Sequence, residues 1–223
     1  LTYLDDAVVA YEVVEVDAFT IDVLRNFADA QITIGKIEQG IASYREAINK
    51  AENLPLESGK AHNDLATYYA SQYQYREALK AWQNALSQFE SAKQIDYQAR
   101  VRCDIASMYE QLGDGRMAQR EYGNALEMLS QIENSSIRGI ILANIASAYS
   151  EFGDVDSAQY FFKETIEIAQ ANDNQGAEAL RLGNYGRLLA LTNQPKQALA
   201  QIMQAQTISD DLGLDLQSAM MLN

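Results

Sequence analysis

The chain has 223 residues, 48% of them hydrophobic, and a formal net charge of −14. Such acidity excludes the clustered Lys and Arg of a nucleic-acid surface; it suits well-solvated helix faces, or attraction for basic partners. Cys103 is the only cysteine, which excludes an intrachain disulfide framework and a cysteine-based metal site, and no apolar run reaches the roughly 18 residues of a membrane-spanning helix.

Only two prolines interrupt the chain, and Ala, Leu, Gln and Glu are abundant, a composition that favours an all-helical protein. The stretch from Asp104 to Ala125, DIASMYEQLGDGRMAQREYGNA, returns 40 residues later as NIASAYSEFGDVDSAQYFFKET and 40 residues earlier as DLATYYASQYQYREALKAWQNA. A fixed period of this length is the mark of stacked helical pairs. In chain order, residues 1–16, with Ala7, Tyr11 and Val14, are expected to form the second helix of a truncated repeat. Five complete repeats follow at 20–56, 57–94, 95–134, 135–174 and 175–212, and 213–223 opens a further one. Their helices are expected at 21–34, 37–53, 57–71, 75–91, 95–111, 115–131, 135–151, 155–171, 175–192 and 195–209. The whole of 1–223 is thus expected to be one solenoid. Because it starts at Leu1 and stops in what resembles another repeat, it is expected to be a piece of a longer protein.

Each helix has its own punctuation. Asp114 and Asp154 follow glycines and precede apolar-periodic runs, as N-cap carboxylates do. Ser135 and Ser136 are candidate caps for the seventh helix. Asn193-Gln-Pro195 is expected to cap the last one, with proline near the first helical position. Within a repeat, Ala66 and Tyr69 share one face of the first helix, and Ala78, Trp82 and Ala85 share one face of the second. Small residues there let two helices approach to about 8–10 Å while the aromatic fills the space beside the contact. Tyr69, Tyr109, Tyr149, Trp82, Tyr122 and Phe162 are therefore read as core. Ala118→Leu is expected to overpack a crossing.

These residues resemble the tetratricopeptide repeat family, whose signature has a small residue then an aromatic in the first helix and small–aromatic–small in the second. The resemblance covers about residues 20–210. Departures occur at Gln31, Leu189 and Ile202, which replace aromatics, and at Thr165, which replaces a small apolar residue. The period of 40 is similar to the longer-helix variety of the family. What the resemblance implies is an all-α, right-handed superhelical solenoid whose first helices line a concave groove that binds a protein or an extended peptide.

Catalysis has little support. His62 is the only histidine and stands in AHNDLA without a Ser, Cys or metal-ligand pattern at helical spacing. Gly113-Asp-Gly115 lacks the Lys-Ser/Thr of a phosphate loop. No enzyme activity, cofactor or metal is expected.

One polar column does stand out. Asn26, Asp64, Asp104, Asn144 and Asn184 each lie two residues before the small residue of a first helix. Asn and Asp are mediocre helix formers, since their short polar groups compete for backbone hydrogen bonds. The stripe continues as Lys60-Asp64-Thr67-Ser71, Arg100-Asp104-Ser107-Gln111 and Ile140-Asn144-Ser147-Glu151, and the resemblance places it in the groove. An amide there can donate to and accept from an extended backbone; hydrogen bonds between repeats, or polarity inherited by duplication, are the alternatives. Lys60 and Arg100 lie four residues before an aspartate and can pair with it, whereas Arg25 and Arg187 are candidates to meet a ligand carboxylate. The candidate groove set is therefore Asn26, Asp64, Asp104, Asn144, Asn184, Arg25, Lys60, Arg100 and Arg187.

The functional expectation is a non-enzymatic module that holds a protein or peptide segment, with no nucleic-acid binding and no membrane insertion. Alternatives are a ligand-sensing regulatory domain of a larger bacterial signalling or transcription-regulating protein, and a purely structural segment. A cytoplasmic location is favoured for the segment, with that of the parent protein open. Apolar residues near the two ends (Leu4, Val8, Val9 and Tyr11; Leu216, Met220, Met221 and Leu222) are expected to be exposed and to permit end-to-end self-association.

Overall fold

A computed structural model describes residues 17–213. Among them every regular element is helical: α1 Ala18–Thr33, α2 Ile37–Lys50, α3 Pro55–Ser71, α4 Tyr75–Ser91, α5 Ile95–Gln111, α6 Gly115–Met128, α7 Ser135–Glu151, α8 Val155–Ala171, α9 Gln175–Leu191 and α10 Pro195–Asp211. The helices pair in sequence, α1 with α2, α3 with α4, α7 with α8 and α9 with α10, and within the units α2 packs on α3, α4 on α5 and α8 on α9. The chain divides into two compact units, Leu1–Glu121 and Tyr122–Asn223. The helix expected over 1–16 and both sets of apolar end residues fall outside the described residues.

The expected boundaries hold to within a turn. α2 stops at Lys50 instead of residue 53, and α6 stops at Met128, its last turn tightening into a 3-10 turn over Leu129–Gln131. α3 begins at Pro55, at the helical position where a missing N–H is harmless.

Most connections share one backbone solution. The residue two before the next helix is left-handed: Gly35, Tyr73, Lys93, Gly113, Gly153, Asp173 and Asn193 all have positive φ. The N–H that follows each then reaches back five residues, as Asp114 does to the Tyr109 carbonyl (2.8 Å) and Asn174 to Ala169 (2.9 Å), which closes the outgoing helix. Glycine announces this turn at Gly113 and Gly153. At Tyr73 and Lys93 a full side chain adopts it, at φ 59° and 55°, against the usual steric preference.

The caps confirm two expectations and correct two. Asp114 accepts from the Met117 amide at 3.1 Å and Asp154 from the Ser157 amide at 3.2 Å. The cap of α7, however, is Asn134, which accepts from the Ile137 amide at 3.1 Å. Ser135 and Ser136 already belong to the helix, and their hydroxyls bond Asn172 instead. Asn193 does not cap α10: it is the left-handed turn residue, and Gln194 stands at the cap without a side-chain hydrogen bond.

Small residues form the crossings, as their spacing predicts. Ala28, Ala66, Ala106 and Ala146 on first helices, and Ala78, Ala118 and Ala158 on second helices, are fully buried. The two glycines in these columns show how close the backbones come. A Cβ on Gly40 would lie 2.9 Å from the Ala28 carbonyl oxygen, and one on Gly186 3.2 Å from that of Ala198. Trp82, Tyr122 and Phe162 fill the space beside the crossings and are buried, whereas Tyr69, Tyr109 and Tyr149 are half-buried. At Ala118, fully buried, Ala118→Leu should cost about 1–3 kcal/mol through overpacking. Thermal denaturation checks this, and a variant as stable as the parent would mean that the crossing lies elsewhere.

Candidate functional site

The recurrent Asn/Asp positions lie on α1, α3 and α5 in the first unit and on α7 and α9 in the second. Helix geometry sets them two residues before a fully buried small residue, so they turn partly away from the core. Asn26 and Asn144 are exposed, Asp64 and Asp104 are half-buried, and Asn184 is 7% exposed. Of the rest of the stripe, Thr67, Ser71, Arg100, Gln111, Glu151 and the apolar Ile140 are exposed, and Lys60, Ser107 and Ser147 are half-buried.

Asp64 has partners within the chain. Arg25 Nε donates to its Oδ2 at 2.6 Å, and Arg25 Nη1 donates to Asp22 Oδ1 at 2.6 Å, which ties α3 to α1. Burial alone would lower the pKa of Arg25, but Asp64 and Asp22 together raise it. Burial also holds the Asp64 carboxyl above its ordinary value despite the guanidinium. Arg25, taken from sequence as less obviously paired, is thus committed to two carboxylates. Lys60 is corrected as well: its Nζ meets Glu57, one turn earlier, at 3.0 Å and not Asp64, which faces Arg25.

The other four column residues make no hydrogen bond or ion pair within the chain among the described residues. Asp104 is the most strained electrostatically. Burial pushes its carboxyl from 3.8 up to about 6, and Arg100, four residues earlier, only partly offsets this. Arg100 and Arg187 are exposed and form no ion pair; the expected Arg100–Asp104 contact does not form.

The groups read as structural behave so. His62 is half-buried, and burial lowers its pKa, favouring neutral imidazole. Burial, with the Asp104 charge beside it, raises the Cys103 thiol pKa and leaves it a poor nucleophile. Tyr44 donates to Asp29 and Trp82 Nε1 to Asn63 Oδ1 at 3.1 Å, each tying a second helix to its first. Among the described residues no three His, Cys, Asp or Glu side chains gather as a metal site, and no helix is long and apolar enough to cross a membrane.

Sequence reasoning missed two notches between successive second helices. One, of about 360 Å³, opens between α2 and α4 over α3, with Arg45, His62, Tyr69 and Glu77 in its lining. Its counterpart in the second unit, about 500 Å³, lies between α8 and α10 over α9. It also missed Arg181, which is 9% exposed and makes no hydrogen bond or ion pair among the described residues.

Comparison with known proteins places this geometry. The sequence pattern described as tetratricopeptide repeat matches residues 97–171. No curated protein matches the sequence significantly. Among solved structures, BtubC (BKLC) from P. vanneervenii is similar at TM-score 0.78 and 19% identity, over 88% of this chain and 82% of that one. The apo form of RapI is similar at TM-score 0.74 and 15% identity, over 86% and 71% of the two chains. YrrB, described as a TPR protein with an unusual peptide-binding site, is similar at TM-score 0.54 and 18% identity, over 91% of each. Residues 97–171, in α5 to α8, thus carry tetratricopeptide repeats, and the described helices before and after them continue the same fold of sequential helix pairs.

Proposed function

We propose that the chain is a non-enzymatic interaction module, and that an extended protein or peptide segment lies across its first helices and is held by the polar column. One observation carries this reading: Asn26, Asp104, Asn144 and Asn184 have no partner among the described residues, although helix propensity prefers Ala or Leu at such positions. An inter-repeat structural role would require bonds of the Arg25–Asp64 kind at every rung. Neighbouring first helices repeat at roughly 10 Å, so successive amides would meet about every third residue of a strand rising about 3.3 Å per residue. Contact through the backbone holds a chain without demanding a side-chain sequence. Asp104 adds a preference: a basic group beside it would relieve a carboxylate that Arg100 only partly compensates. The peptide-binding site named for YrrB is compatible with this use of the fold.

The test is an affinity capture with two baits, the parent chain and a variant with Asn26, Asp104, Asn144 and Asn184 all changed to Ala. Mass spectrometry should identify proteins enriched on the parent and lost from the variant. Identical protein sets on two equally folded baits would refute the column as the contact surface.

A further inference from the structure

Arg181 stands where the second, third and fourth repeats bury an apolar side chain. The equivalent residues, five before the small residue of the first helix, are Ala61, Val101 and Ile141, all fully or almost fully buried. Arg181 is nearly as enclosed, at 9% exposure, and burial lowers its pKa with nothing opposing it. The carboxylate three residues earlier on α9, Glu178, is engaged elsewhere, accepting from Gln170 Nε2 at 2.7 Å. Its nitrogens are not fully buried, but a largely enclosed guanidinium with no acceptor among the described residues is costly.

The space beside it holds bulky side chains at the two preceding repeat junctions. Between the second and third repeats, Phe89 stacks on Tyr97 with ring centroids 4.7 Å apart and fills the gap above Gly59. One junction on, the same two positions hold Leu129 and Ile137. At the junction between α8 and α9 they hold Ala169 and Ala177, and a cleft of about 60 Å³ remains, lined by both alanines, Ser136, Thr165, Asn172, Asn174 and Arg181. Thr165, 1% exposed, is itself a polar replacement in a column that is otherwise Ala47, Ala85 and Ala125. Two columns turn polar here, and the bulky pair of the two preceding junctions is replaced by alanines.

We propose that this cleft binds a carboxylate group of a ligand, with the Arg181 guanidinium as its counter-charge and Ser136 and Asn174 as further donors. Asn174 uses its oxygen to cap α9 by accepting from the Ala177 amide at 3.0 Å, which leaves its amide hydrogens to donate. The volume admits a group of a few atoms, so the rest of the ligand must lie outside. A guanidinium accepts a carboxylate through two parallel hydrogen bonds, which suits a planar group entering a narrow space. The site is separate from the polar column and does not depend on it.

The probe is acetate, titrated into the full chain at constant ionic strength with chloride as control, and read through the Nε–Hε resonance of Arg181, identified by its loss in Arg181→Met. A saturable shift with acetate and none with chloride is expected. Ala169→Phe, which keeps the charge but refills the space as Phe89 does, should weaken acetate binding at least tenfold, with circular dichroism checking its fold. Arg181→Met restores the apolar column, so it should fold as well as the parent and lose the stabilisation by acetate that thermal denaturation of the parent shows. An acetylated tripeptide with a free C-terminus, compared with its amide, then separates a chain end from a small acid. No saturable response to acetate or the free-acid tripeptide overturns the proposal. So does acetate stabilisation undiminished in Arg181→Met, or a stronger response to phosphate than to acetate.

Discussion

Asp104→Asn is expected to make the protein more stable at pH 7.5, by about 1–3 kcal/mol, and to flatten its stability between pH 4 and 6. The carboxyl of Asp104 is raised from 3.8 to about 6 by burial in the folded chain. Below the unfolded value both states hold the proton, so the residue carries no penalty there. As the pH rises through the folded value, the unfolded chain has already released its proton while the folded chain must ionise a buried group. Stability is lost across that window and stays lost above it. Asparagine keeps the shape and removes the charge, so the difference between variant and parent should be small near pH 4 and complete above pH 7. For a chain of this size the gain should shift the melting temperature by several degrees. Urea denaturation at pH 4, 6 and 7.5 measures it. Equal midpoints at all three values would mean that Asp104 is solvated or paired.

Such a stabilising substitution at a surface-facing position bears on function. A group that costs stability when the chain is alone is a group whose charge is matched by something else. In the proposed module that match is a basic group of the bound segment, consistent with a chain of net charge −14.

The fold was legible because its signals are redundant. Ala66, Ala106, Ala146 and Gly186 fall at equal steps, and each must be small for the same crossing, so one pattern was read four times. What escaped depends on single contacts. Asn134 and Ser135 are both short polar residues at a helix start, and sequence does not say which adopts the extended backbone of a cap. The Arg25–Asp64 pair joins residues 39 apart, beyond the reach of i,i+4 reasoning, and its formation is what frees Lys60 to turn toward Glu57. Arg181 was hidden because EALRLGNYG looks amphipathic by itself. Only alignment with Ala61, Val101 and Ile141 shows a charge in an apolar column, and that comparison was available from the repeat register.

The double variant Asn144→Ala, Asn184→Ala concentrates the functional claim within one unit. Both amides lie on first helices, α7 and α9, and neither has a partner among the described residues. Asn184, at 7% exposure, is the costlier to leave unmatched. Each amide–backbone contact with a bound segment should contribute roughly 1 kcal/mol, and more where the partner is left buried and unsatisfied. Folding should be unaffected or slightly improved, because Ala is the better helix former.

The direct measurement is calorimetric titration of a segment selected on the parent chain from a random extended-peptide library into parent and double variant, with circular dichroism and melting as the folding control. The account predicts at least tenfold weaker binding to a variant that melts no lower than the parent. Undiminished affinity in an equally folded variant would contradict it and return the column to a structural role.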